Sequence, residues 1–98
     1  MALNRPMLIE FVMPQCRYCD HMDKEILARA DVLDALRAFV PVRIDMLAER
    51  ELAMRHGVEA APTFVVISPS GAALARTEGY QPAEEFVRFL RSAARSAS

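Results

Sequence analysis

Apolar residues run almost unbroken from Met7 to Val12, as Met-Leu-Ile-Glu-Phe-Val. That is the pattern of a strand covered on both faces in the middle of a parallel sheet, and only Glu10 interrupts it. Beyond Cys16 the spacing turns helical: Cys19, Met22, Ile26, Leu27 and Ala30 share one stripe, which predicts a first helix over Cys16 to Arg29. Asp31 is placed to cap a second short helical piece that turns Val32, Leu33, Leu36 and Phe39 inward, and Pro41 ends it. Val42 to Asp45 reads as a short, partly alternating strand. A helix over Ala48 to His56 follows, built on Leu52 and Ala53 with Leu47 and Met54 at its flanks, and Gly57 supplies a left-handed C-cap. Phe64-Val65-Val66-Ile67 is a strongly apolar strand. The tight turn Ser68-Pro69-Ser70-Gly71 then returns the chain as a strand over Ala72 to Thr77, an antiparallel hairpin. In the last helix Pro82 takes the first position, Glu84 and Glu85 the first turn, and Arg88, Arg91 and Arg95 the later turns. Phe86, Leu90 and Ala93 form its buried stripe, beside Val87 and Ala94, and Ser96-Ala97-Ser98 are expected to fray.

The order is β-α-β-α-β-β-α, an α/β pattern. Right-handed crossovers pair the first strands in parallel and the hairpin adds antiparallel strands, giving a mixed four-stranded sheet with helices on both faces. The 98 residues suit one domain over 1–98 with its core at about 7–95. Net charge of -1 offers no footprint for nucleic acid, and no run of like charge suits a membrane surface. No apolar stretch reaches the roughly 18 residues of a spanning helix, so no membrane insertion is expected. The first strand begins too close to Met1 to leave room for a signal peptide within the chain.

Chemistry concentrates at Met13-Pro-Gln-Cys-Arg-Tyr-Cys-Asp-His-Met22, which holds the two cysteines, Cys16 and Cys19. The first falls where strand gives way to helix. There the unpartnered N–H groups and partial positive charge of a first helical turn favour a thiolate, moving a thiol from about 8.5 toward about 3.5 to 7.5. Arg17 adds charge of the same sign. Cys19 lies on the same helical side, within reach of a disulfide, so Cys16 is expected ionised and exposed with Cys19 beneath it. Other uses fit less well. Covalent haem needs His directly after the second cysteine, where Asp20 stands. Zinc needs about four ligands, and His21 and His56 do not form a second pair at ligand spacing. Two merely structural thiols remain the bland alternative. Glu10 in a buried strand must have a partner or a raised pKa, and it either sits at the wetter end of the strand or accepts protons beneath Cys19. His21 reads as a solvated surface residue, and His56 as a helix C-terminal residue favoured by the dipole. Pro62 stands at the start of a strand, where a cis peptide fits a turn.

Three features in register resemble the thioredoxin superfamily from Met7 to about Leu90: Cys16-Arg17-Tyr18-Cys19 after the first strand, Ala61-Pro62-Thr63 as the cis-proline loop, and Gly79 before the final helix. Glu10 occupies the place of the buried acid in many thioredoxins. Tyr before the second cysteine resembles glutaredoxins. The runs around Cys16 and Tyr80 look closer to small secreted bacterial thioredoxin-like proteins of sulfur-oxidation systems, and to the periplasmic C-terminal domain of transmembrane electron carriers. Gln15 stands where thioredoxins usually carry Trp, and Arg17-Tyr18 where they carry Gly-Pro, so neither substrate range nor potential transfers.

The resemblance implies a thiol-disulfide oxidoreductase of the thioredoxin fold, working as a reductase. Cys16 would attack, Cys19 resolve, and Glu10 accept the Cys19 proton through water. Arg17, Tyr18, Ala61 and Pro62 would meet the substrate, with backbone pairing at Ala61. It further implies no cofactor or metal, a monomer, a disulfide-bearing protein substrate with an upstream dithiol reductant, and a periplasmic setting, the cytoplasm being the alternative. A redox-regulated binding module without turnover and a glutathione-linked enzyme are the competing readings.

Overall fold

The computed structural model describes residues 4–97, so Met1 to Leu3 and Ser98 of the expected frayed tail lie outside the described residues. Strand β1 (Met7–Val12) leads through a short turn into α1 (Arg17–His21) and a π-helical turn (Met22–Ile26), followed by α2 (Ala30–Leu36) and strand β2 (Val40–Asp45). Helix α3 (Arg50–Arg55), strands β3 (Thr63–Ile67) and β4 (Ala73–Glu78), and helix α4 (Ala83–Ser96) complete the chain. The sheet order is β2-β1-β3-β4. β1 is central, but only β2 runs parallel to it; β3 pairs with it antiparallel, and β4 continues antiparallel from β3. This is the mixed four-stranded sheet expected from the element order, with the hairpin supplying its antiparallel strands.

Alternation along β1 divides the core in two. Leu8 joins Phe64 and Val66 against Met22, Ile26, Val32, Phe39, Phe86 and Leu90 on the face covered by the α1 run, α2 and α4. Ile9 and Phe11 join Val65 against Ala53 and Val58 on the α3 face. Complete burial of Phe86 and Leu90 on α4 is worth about 1.5–3 kcal/mol for each side chain, which anchors the last helix on the sheet.

The predicted first helix changes character after His21 and ends at Ile26. Leu27 donates to the Met22 carbonyl at 2.8 Å, an i to i−5 bond that widens the helix by one residue, and Met22 and Ile26 are both buried. The chain then turns, and Ala30, expected on the stripe, starts α2 exposed. Arg29 occupies the N-cap position expected for Asp31, whose Oδ1 instead accepts from the Val32 N–H at 2.9 Å inside the first turn. In that phase Val32, Ala35 and Phe39 are buried while Leu33 is 50% exposed, which corrects its inward assignment. The helix stops at Leu36, and Pro41 lies within β2, tolerated because β2 is an edge strand. Pro82 is the N-cap of α4 and not its first residue, and the helix runs on to Ser96. Gly57 takes a positive φ of 66° after α3, the left-handed exit predicted there.

Candidate active site

Both cysteines are held at the junction of β1 and α1. Met13, Pro14 and Gln15 form the turn, with Gln15 in the left-handed region at φ 57°, and Cys16 is the extended N-cap residue of α1. The Cys19 N–H donates to Cys16 Sγ at 3.1 Å and the Asp20 N–H to the Cys16 carbonyl at 3.0 Å. Cys16 and Cys19 are joined by a disulfide, with Cα atoms 5.2 Å apart. An amide N–H directed at a cysteine sulfur favours the thiolate over the thiol once the bond is reduced. Cys19 is 2% exposed and Cys16 only 7%, so the expected open exposure of Cys16 is corrected: Val12 and Ala61 pack against the pair. Arg17 and Tyr18 do stand in solvent beside it, Tyr18 at 62% exposure.

Facing the disulfide is the loop before β3. The Ala61–Pro62 bond is cis, Pro62 is buried, and the Ala61 carbonyl oxygen lies 3.7 Å from Cys16 Sγ. Two bonds fix the loop: Thr63 Oγ1 donates to the Ala60 carbonyl at 2.7 Å, and the Gly79 N–H donates to the Pro62 carbonyl at 2.7 Å. Gly79 does so at φ 82°, a conformation that a side chain would strain. The three features that the sequence brought into register thus meet at one end of the sheet.

Glu10 is buried in β1 and has both a partner and a raised pKa. Arg43, its register partner on β2, places Nη1 3.2 Å from Glu10 Oε1 and 2.7 Å from Asp23 Oδ2. Burial, reinforced by the neighbouring Asp23 carboxylate, pushes the Glu10 carboxyl up to about 8, against a smaller downward pull from Arg43. Glu10 reaches the sulfurs indirectly. An open cleft of about 470 Å³ beside the disulfide is lined by Cys16, Cys19, Asp20, Arg43 and Asp45, and Arg43 connects that cleft to Glu10.

Sequence reasoning did not find Arg43 or Asp23. One signal was available for Asp23, four residues after Cys19 and so near it on a helical surface; Arg43 needed the β1–β2 register. His21 is half exposed, 3.0 Å from Glu25 and with its ring 5.5 Å from that of Tyr80. Among the described residues, no group of three or more His, Cys, Asp or Glu side chains is placed to hold a metal ion, and no helix is long and apolar enough to cross a membrane.

Residues 1–94 match the sequence model of the thioredoxin-like domain. The thiol:disulfide interchange protein DsbD 2 of Pseudomonas aeruginosa is 34% identical over 68 residues, which are 65% of this chain and 12% of that protein. The chain therefore spans only a small part of that relative's length. Among solved structures, a thioredoxin from Thermus thermophilus superposes with a TM-score of 0.85 at 30% identity, covering 96% of this chain and 77% of the other. The periplasmic thioredoxin SoxS from Paracoccus pantotrophus superposes with a TM-score of 0.74 at 26% identity, covering 96% of this chain and all (100%) of the other.

Proposed function

The chain belongs to the thioredoxin-like domain family, and on that premise we propose that it is a thiol-disulfide oxidoreductase that reduces protein disulfides with the Cys16–Cys19 dithiol. The observation that carries the reading is the placement of Cys16 Sγ, which receives the Cys19 amide on one side and faces the Ala61–Pro62 loop on the other. A sulfur so placed can be ionised and can meet an extended substrate segment paired along the backbone at Ala61. Arg17 and Tyr18, exposed beside the pair, are the side chains such a segment would touch.

The Cys16 thiolate attacks one substrate sulfur; the substrate S–S bond breaks, a mixed disulfide forms, and the first substrate thiolate leaves. Cys19 gives up its proton toward Glu10, which accepts it through water when its carboxyl is ionised, and attacks Cys16 Sγ. The second substrate thiolate leaves, and two electrons have passed from the chain to the substrate. An upstream dithiol returns them by the same steps in reverse. The likeness to a protein described as periplasmic supports a periplasmic setting, with a disulfide-bearing protein and a dithiol reductant as partners.

The test is turnover of a protein disulfide with a recycling reductant, together with the two serine variants. Cys16→Ser is expected to abolish turnover, and Cys19→Ser to accumulate the mixed disulfide, visible as a covalent adduct on non-reducing gels. Loss of turnover in both without an adduct in the second would overturn these roles, and absence of wild-type turnover would favour a redox-regulated binding module. The reduction potential of the pair gives the direction: a value near about -270 mV marks a reductase and one near about -120 mV an oxidant.

A further inference from the structure

The loop after β4 is pinned on either side of one exposed ring. The Gly79 N–H donates to the Pro62 carbonyl at 2.7 Å, and the Gln81 N–H donates to Met22 Sδ at 3.3 Å. Tyr80, between them, is thus carried on a backbone tied both to the cis-proline loop and to the helical run that follows the cysteines. Its ring lies 5.5 Å from the ring of His21, centre to centre, at a tilt of 48°. Glu25 fixes that imidazole from one turn further on, with Oε2 3.0 Å from His21 Nδ1. The loop and the helix together brace Tyr80 while 38% of it stays exposed, so the brace holds open an aromatic surface instead of filling the core.

A second ring extends that surface. Tyr18 and His21 are three positions apart on α1, neighbours on its surface, and Tyr18 is the more exposed of the two tyrosines in the chain. Exposed apolar side chains standing singly are ordinary. Two tyrosines with a histidine ring held against one of them, on segments that border the disulfide and the cis-proline loop, make a platform suited to another ring. Fixing a flexible side chain before its ligand arrives also removes an ordering cost from binding.

We propose that His21 positions Tyr80, and that Tyr80 and Tyr18 together receive an aromatic side chain placed two residues from the reacting cysteine of the substrate. This names a substrate class for the same site and rests on the oxidoreductase reading above. In an extended segment paired at Ala61, alternate side chains point the same way. The residue two positions from the cysteine therefore faces the protein as the cysteine does, about 6–7 Å along the segment. His21 acts through Tyr80, so it is a positioning residue, whereas Tyr18 and Tyr80 set specificity. The bonds made and broken at sulfur remain those of the reductase reaction.

The experiment measures reduction of symmetric, disulfide-linked peptide dimers by the whole chain with a recycling reductant. The peptides differ only in carrying Phe, Ala or Arg two residues before and two residues after the cysteine. The wild type is expected to favour the Phe dimer over the Ala dimer by about tenfold in kcat/KM, the order of two aromatic contacts. Tyr80→Ala is expected to lose most of that preference. His21→Ala is expected to raise KM for the Phe dimer about threefold with kcat kept, the order of one side chain left to be ordered on binding. His21→Phe, which keeps a ring against Tyr80, is expected to restore the lower KM. A fall in kcat for all three dimers in His21→Ala, or no recovery in His21→Phe, overturns the positioning role. A wild-type ratio near one overturns the aromatic class, as does an equal preference for the Arg dimer. In NMR spectra of the oxidised chain, through-space contact between the His21 and Tyr80 ring protons is expected, and its absence overturns the brace whatever the kinetics show. A chain that reduces none of the dimers overturns the oxidoreductase reading, whereas reduction of all three at one rate overturns this inference alone.

Discussion

β1 presents two unlike faces. Toward α3 it offers Ile9 and Phe11, which pack with Val65, Ala53 and Val58 in an apolar layer. Toward α1 and α2 it offers Leu8, then Glu10, then Val12, so an apolar layer gives way to an ionic cluster and then to the disulfide. Six residues of one strand therefore serve as a wall on one side and as a graded path from core to chemistry on the other. The difference teaches that burial has two uses here. On the α3 face it yields stability alone; on the other, the same exclusion of water raises the affinity of Glu10 for its proton.

The sharpest way to break this contrast is Phe11→Ala. Phe11 is fully buried, and its truncation is expected to cost about 3–5 kcal/mol in urea unfolding at every pH. A loss that varied strongly with pH would mean that the two faces are electrostatically coupled. Glu10→Gln probes the other face. The unfolded carboxyl titrates near 4.5 and the folded one near 8, so between those values the unfolded chain binds fewer protons than the folded one. The contribution of Glu10 is therefore fully present below about 4.5 and is lost as pH rises through about 8. Unfolding free energy of the wild type should fall across that window relative to Glu10→Gln, by on the order of a few kcal/mol at most. A parallel pair of curves would sink the claim of a proton held by burial. The smallest effect concerns the helices that cover this face: Val32→Ala is expected to cost about 2 kcal/mol and Leu33→Ala less than about 0.5 kcal/mol, as fully buried and half-exposed neighbours should. Equal costs would restore the helical phase expected from the sequence and contradict the one observed.

Much of the site is legible before folding. A cysteine pair between a strand and a helix, a proline before the third strand and a glycine before the last helix are each set by local chemistry, and the resemblance to the thioredoxin superfamily supplies their register. The helical phase from Met22 to Phe39 is less legible, because the extra residue of the π turn shifts the positions after it and the apolar spacing before it does not mark where that residue falls. The burial of Cys16 is likewise not legible, since part of its cover comes from Ala61, far along the chain.

By itself the sequence determined which residues carry apolar surface and which carry sulfur, acid or turn chemistry, and so which elements form and which two thiols meet, because those properties act over a few neighbouring residues. Only the tertiary structure decided that Arg43 and Asp23 close around Glu10. Charges interact through space at distances of a few ångströms, and residues 33 and 13 positions away from Glu10 reach that range only when strand pairing and helix packing have brought them there.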